Sequence, residues 1–127
     1  MRILMRAVIA LAGLAALLLA SRFWIDPAKI AGVMDLTAGG AAGLGTLRAD
    51  MAGYFGAAGV LFLAAAVRAE RVWLKPVLLM LAIALVGRVI NLVLTGGGSV
   101  LYPPMVVEAV LLAITVLGLR VLGPKAG

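Results

Sequence analysis

Polar side chains able to do chemistry lie inside stretches otherwise apolar enough to cross a bilayer. Arg48, Asp50 and Tyr54 belong to one stretch, Arg88 and Asn91 to a second, and Glu108 to a third. Ionisable groups in such segments are expensive to desolvate, so they normally face protein or a water-filled cavity and pair with one another. The charges balance, Arg48 and Arg88 against Asp50 and Glu108. One reading is therefore a salt-bridge network that pins three helices together. The other is a pocket in which Arg88 or Arg48 holds a polar or anionic head group, with Tyr54 and Asn91 close by. Glu108 or Asp50 could also act as the acid–base group of a membrane isomerase or hydrolase, although no nucleophile accompanies them. No catalytic residue is assigned, no metal-ligand set is present, and no motif calls for a cofactor.

The elements that must position these groups follow from composition. The chain has 127 residues, is 65% hydrophobic and has a mean hydropathy of +1.23. A soluble core of this size cannot hide so much hydrocarbon, so the bilayer must be the solvent. The length fits a single integral membrane domain over 1–127. The net charge of +6 would hint at nucleic acid in a soluble protein. Here the basic residues flank apolar runs, which is a topology signal rather than a nucleic-acid footprint. Cysteine and histidine are both absent, which excludes disulfides, thiolate chemistry and nearly every common zinc site.

Taken in order, the chain predicts an all-α membrane protein: a four-transmembrane-helix antiparallel bundle with spans over approximately 4–22, 47–67, 76–95 and 103–122. The first follows Arg2 and Arg6. A signal peptide is the rival reading, but Leu18 stands where cleavage before Ser21 would want a small residue. Asp26-Pro27 reads as an N-cap followed by proline at the first helical position. It opens a short outer interfacial helix between helices 1 and 2. Thr37 to Gly45 reads as a flexible connector, with Thr46 as N-cap of the second span. Pro76 and Pro103-Pro104 start the third and fourth spans.

Arg2, Arg6, Arg68, Arg71, Lys75, Arg120 and Lys125 fall on one side of this topology. Both termini are therefore expected in the cytoplasm. Along a helix rising 1.5 Å per residue, Arg88 lies about 20 Å from Lys75, leaving roughly 10 Å to the far side of a core about 30 Å thick. Glu108 enters about 6–8 Å below that same side, counted from Pro103-Pro104. Arg48 and Asp50 occupy the first turns of the second span. All of these groups are thus expected in the outer leaflet, with Glu108 the partner of Arg88 and Asn91 adding a hydrogen bond. Gly53, Gly56 and Gly59 form a face without side chains that suits close helix packing, within the chain or between two copies.

The run Gly-Leu-Gly-Thr-Leu-Arg-Ala-Asp before a glycine-rich helix, with Gly87-Arg88-Val89-Ile90-Asn91 and then Glu108, resembles an uncharacterised bacterial family of four-transmembrane-helix proteins. That family is known as a domain of unknown function and is distantly DoxX-like. The resemblance spans nearly the whole chain and rests on Gly43, Thr46, Arg48, Gly53, Gly87, Arg88 and Glu108. Asp50 stands where a glutamate is expected in many relatives. What the resemblance implies is a fold, with no activity attached.

The leading functional reading is a non-enzymatic protein of the bacterial inner membrane. It would bind a lipid-like or amphipathic molecule in an outer-leaflet polar pocket, or serve as an accessory subunit of a membrane complex. Expected partners are membrane lipids and such a ligand, with a homo-oligomer or a membrane-protein partner as alternatives, and no nucleic acid. A small proton-coupled multidrug-type transporter fits the size, but its essential glutamate belongs in the first span, and here that span carries no acid.

Overall fold

A computed structural model describes residues 1–99 and 102–124. The first helix, α1, runs Arg2–Ile25 and is apolar after its two N-terminal arginines. It stops at Asp26, whose carboxylate accepts from the Lys29 amide at 3.3 Å and so caps the next helix, α2 (Pro27–Val33), with proline at its first position. This is the Asp-Pro start read from the sequence. Helix α2 is capped at Met34 and followed by Asp35, a non-glycine residue with a φ of 58°.

Helix α3 runs Ala41–Arg68 and begins six residues before the expected start of the second span. Half of the glycine- and alanine-rich connector is therefore helical, because Ala41 and Ala42 favour helix strongly enough to carry the glycines. Thr46 is not an N-cap. It lies inside the helix, and its hydroxyl donates to the Ala42 carbonyl at 3.1 Å. The cap position belongs to Gly40, at a φ of 91°. Within α3, Leu47–Met51 form a π-helical turn before the α-helix resumes at Ala52.

A 3₁₀ turn, Arg71–Trp73, leads to α4 (Leu74–Thr95), with Pro76 in its first turn. Gly96, at a φ of 78°, ends α4 as its amide donates to the Leu92 carbonyl. Helix α5 runs Tyr102–Val121 and carries Pro103 and Pro104 at its start. Two residues of the connection before it, Val100 and Leu101, lie outside the described residues, as does Lys125. The described residues form no strand, only an isolated bridge between Glu70 and Gly123.

The four long helices are each long and apolar enough to span a bilayer, and the chain is a multi-pass membrane protein. Val93 and Leu94 on α4 are 75% and 79% exposed, an arrangement natural in lipid and costly in water. The helices pair as two hairpins, α1 with α3 and α4 with α5.

At one end, which we call the basic end, the hairpins meet through Ile9, Phe62, Leu74, Val77 and Leu122, all nearly inaccessible. Arg6 there donates from Nε to the Ala66 carbonyl at 2.6 Å and from Nη2 to Val67 at 3.2 Å, and Arg2 reaches Ala69. These carbonyls are the ones a helix C-terminus leaves unbonded, and the cations also oppose its negative dipole. The Arg71 amide donates to the Gly123 carbonyl, tying the chain's C-terminal end to the same place.

The second buried cluster lies toward the other end and contains Ala20, Phe23, Ala31, Leu47 and Ala52, from α1, α2 and α3 alone. The hairpins therefore touch at the basic end and separate toward the other. That separation creates the space in which the polar residues sit.

Candidate functional site

Arg88 and Glu108 meet across the second hairpin. Glu108 stands one to two turns into α5 and is buried, and Arg88 stands opposite it on α4. Arg88 Nε donates to Oε2 at 3.3 Å and Nη2 to Oε1 at 3.2 Å, so both carboxylate oxygens are engaged in a fork-to-fork pair. The antiparallel hairpin brings the two residues to one height from opposite chain directions. The remaining N–H groups of Arg88 have no partner among the described residues.

Tyr54 reaches the same space from α3. Its hydroxyl oxygen is buried and has no hydrogen-bond partner among the described residues. Its ring lies edge-on to Phe55, with centroids 5.1 Å apart, and Phe55 stacks on Phe23 of α1 at 6.0 Å. The phenol is thus aimed by an aromatic row that runs back to the first helix. Phe55 carried no signal in the sequence beyond being one more apolar residue in a span.

These three side chains line a cavity of about 640 Å³ between the hairpins. Phe62, Leu81 and Leu111 form its inner part, toward the basic end, and Phe62 and Leu81 also belong to the core there. Ile30 and Val33 of α2, with Met34 just after it, line the other end. Leu81 and Arg88 are seven residues apart on α4, about 10 Å along the axis, and Tyr54 and Phe62 are separated by about 12 Å on α3. The polar groups consequently occupy the end near α2, and the cavity floor is hydrocarbon. Tyr54, Arg88 and Glu108 are the polar members of an otherwise apolar lining.

The other expected site residues lie elsewhere. Arg48 and Asp50 are exposed, outside the cavity, and the four charges do not form one network. Arg48 Nε donates to the Trp24 carbonyl at 3.3 Å, while the Trp24 indole donates to the Arg48 carbonyl at 3.1 Å, which staples α3 to the end of α1. Asp50 makes no hydrogen bond or ion pair among the described residues. The π turn explains this placement. Its i to i+5 spacing puts Leu47 and Ala52 on the buried side together and turns Arg48, Ala49 and Asp50 outward, while Met51 stays half-buried against the cavity. Asn91 is also exposed; its carbonyl accepts from Thr95 Oγ1 at 2.8 Å, and it adds nothing to the Arg88–Glu108 pair.

The glycine face divides as well. A Cβ on Gly59 would lie 2.7 Å from Leu17 Cγ, one on Gly56 would make ordinary contact with Ala20 at 3.7 Å, and one on Gly53 would meet nothing within 4 Å among the described residues. Gly53 is not a packing position within this chain. Two glycines outside that face, Gly13 and Gly118, do pack closely. Gly13 faces Gly59, and a Cβ on Gly118 would fall 2.6 Å from Leu74 Cδ1. A small residue inside a span was the available signal for both.

Among the described residues no group of His, Cys, Asp or Glu side chains could hold a metal ion. The arrangement offers a neutral ion pair with spare donors, a hydroxyl that can donate or accept, and room for hydrocarbon. Comparison with known protein families, with characterised proteins and with solved structures finds no match to this chain.

Proposed function

We propose that this protein holds an amphipathic molecule between its two hairpins, with the polar head beside Tyr54, Arg88 and Glu108 and the apolar part against Phe62, Leu81 and Leu111. The observation that carries the reading is the 640 Å³ cavity, whose polar groups gather at one end of an apolar lining. Ligand sites are typically apolar concavities with a few placed polar groups, and a cavity of this size lies within their usual range of about 300–1,000 Å³. The buried Tyr54 hydroxyl, without a partner among the described residues, adds to it, since buried polar groups are normally satisfied.

The same proposal places the protein in the bacterial inner membrane with both termini in the cytoplasm. Arg2, Arg6, Arg71, Lys75 and Arg120 gather at or beside the basic end, as the positive-inside rule asks of a cytoplasmic side. The cavity then lies in the outer leaflet. Kinship with the uncharacterised four-helix family belongs to the proposal too, and it contributes a fold without an activity.

The test is mass spectrometry of organic extracts from the purified full chain and from two cavity-filling variants, Ala58→Phe and Leu111→Trp. The wild type is expected to carry a recurring amphiphile close to equimolar amounts, and folded variants are expected to lose it. A wild type that carries none, or filled variants that keep it, would overturn the reading.

A further inference from the structure

We infer that the cavity selects an amphiphile whose head group is uncharged and carries both hydrogen-bond donors and acceptors, as a monoacylglycerol does. The inference rests on the amphiphile-binding reading and names the class of its ligand.

Charge balance points there first. Arg88 and Glu108 are the charged members of the lining, and Glu108 spends both oxygens on the arginine. Arg48 and Asp50 stand outside and compensate nothing within. An anionic head would set a second negative charge beside Glu108, and a cationic head a second positive charge beside Arg88. Either leaves one charge uncompensated in a partly desolvated space, an arrangement that costs more the less solvent reaches it.

The unused hydrogen-bonding capacity points the same way. Arg88 is donor-only, and its N–H groups that have no partner among the described residues can donate to an acceptor placed in the cavity. The Tyr54 hydroxyl, buried on the facing helix with no partner among the described residues, can give or take a proton in a hydrogen bond. Hydroxyl and ester oxygens supply both functions without charge. Beyond these groups the lining passes to Phe62, Leu81 and Leu111, where an acyl chain would lie.

The experiment offers monoolein, oleate and oleylamine, which share a long unsaturated chain and differ in the head. Each is presented singly to the full chain in maltoside micelles, with retention read by native mass spectrometry. Monoolein is expected to be retained about tenfold more strongly than either ion. Tyr54→Phe should weaken monoolein about threefold to tenfold, the loss of one hydrogen bond. It should fold normally, since the hydroxyl holds no partner among the described residues. Glu108→Gln removes the negative charge beside Arg88 and should move the preference toward oleate.

Preferential binding of oleate or oleylamine by the wild type overturns the neutral-head assignment while leaving the amphiphile reading intact. So does an unaltered preference in Glu108→Gln, or an unaltered monoolein affinity in Tyr54→Phe. If none of the three is retained, or Ala58→Phe retains all three as the wild type does, the amphiphile reading itself fails.

Discussion

Gly59 of α3 and Gly13 of α1 meet backbone to backbone: a Cβ on Gly59 would stand 2.9 Å from the Gly13 carbonyl oxygen. This close crossing holds the first hairpin together along its length. It also concentrates the packing of α3 on α1, so that α4 and α5 join the first hairpin mainly at the basic end. The cavity is the space left by that division of contacts.

Gly59→Leu should therefore lower thermal stability in detergent by the equivalent of about 1–3 kcal/mol, the usual range for overpacking. Gly53→Ala, at a helical position where a Cβ meets nothing, should be neutral or gain up to about 1 kcal/mol from helix propensity. Paired melting curves decide the matter. An unchanged melting temperature for Gly59→Leu would remove the close contact at Gly59, and a loss for Gly53→Ala would show that Gly53 is packed as well.

Arg88 and Glu108 should be energetically coupled. Removing either partner leaves the other charge poorly solvated, an effect of about 3–5 kcal/mol in a fully buried pair. The Arg88 side chain is 36% exposed, so a smaller loss of about 1–3 kcal/mol is expected for Arg88→Met or Glu108→Leu. The double replacement should recover much of it, since an apolar pair carries no desolvation penalty. Simple addition of the two single effects in a double-mutant cycle would show that the residues are uncoupled.

Arg6 should matter to stability as well as to topology. Its guanidinium bonds the Ala66 and Val67 carbonyls at the end of α3. Arg6→Gln is expected to cost about 1–2 kcal/mol through the lost charge-assisted bonds and the lost dipole interaction. Arg22→Gln, at an exposed position, should stay within about 0.5 kcal/mol. Comparable melting temperatures for Arg6→Gln and the wild type would remove the capping role.

The proposed orientation can be read by cysteine labelling, because the native chain has none. Ser99→Cys should react with an impermeant maleimide in intact cells, whereas Pro124→Cys should react only after lysis. The reverse pattern would put the cavity in the cytoplasmic leaflet.

Four spans, the Asp26-Pro27 helix start and the meeting of Arg88 with Glu108 were all legible from residue order. Each depends on position along a helix axis. Hydropathy gives where a span begins and ends, and the rise per residue gives the depth of a charge within it. Two opposite charges at one depth on antiparallel neighbours then have strong reason to pair. Direction around the axis was not legible in the same way. The π turn at Leu47–Met51 rotates Arg48 and Asp50 outward, and nothing in their residue types announces it. Gly53 and Gly59 are equivalent in sequence, yet one meets open space and the other meets Gly13, because the contact depends on where two helices cross. The cavity was hidden for a related reason. It belongs to no single helix, and it exists because the second hairpin packs against the first at the basic end and parts from it where Tyr54, Arg88 and Glu108 stand.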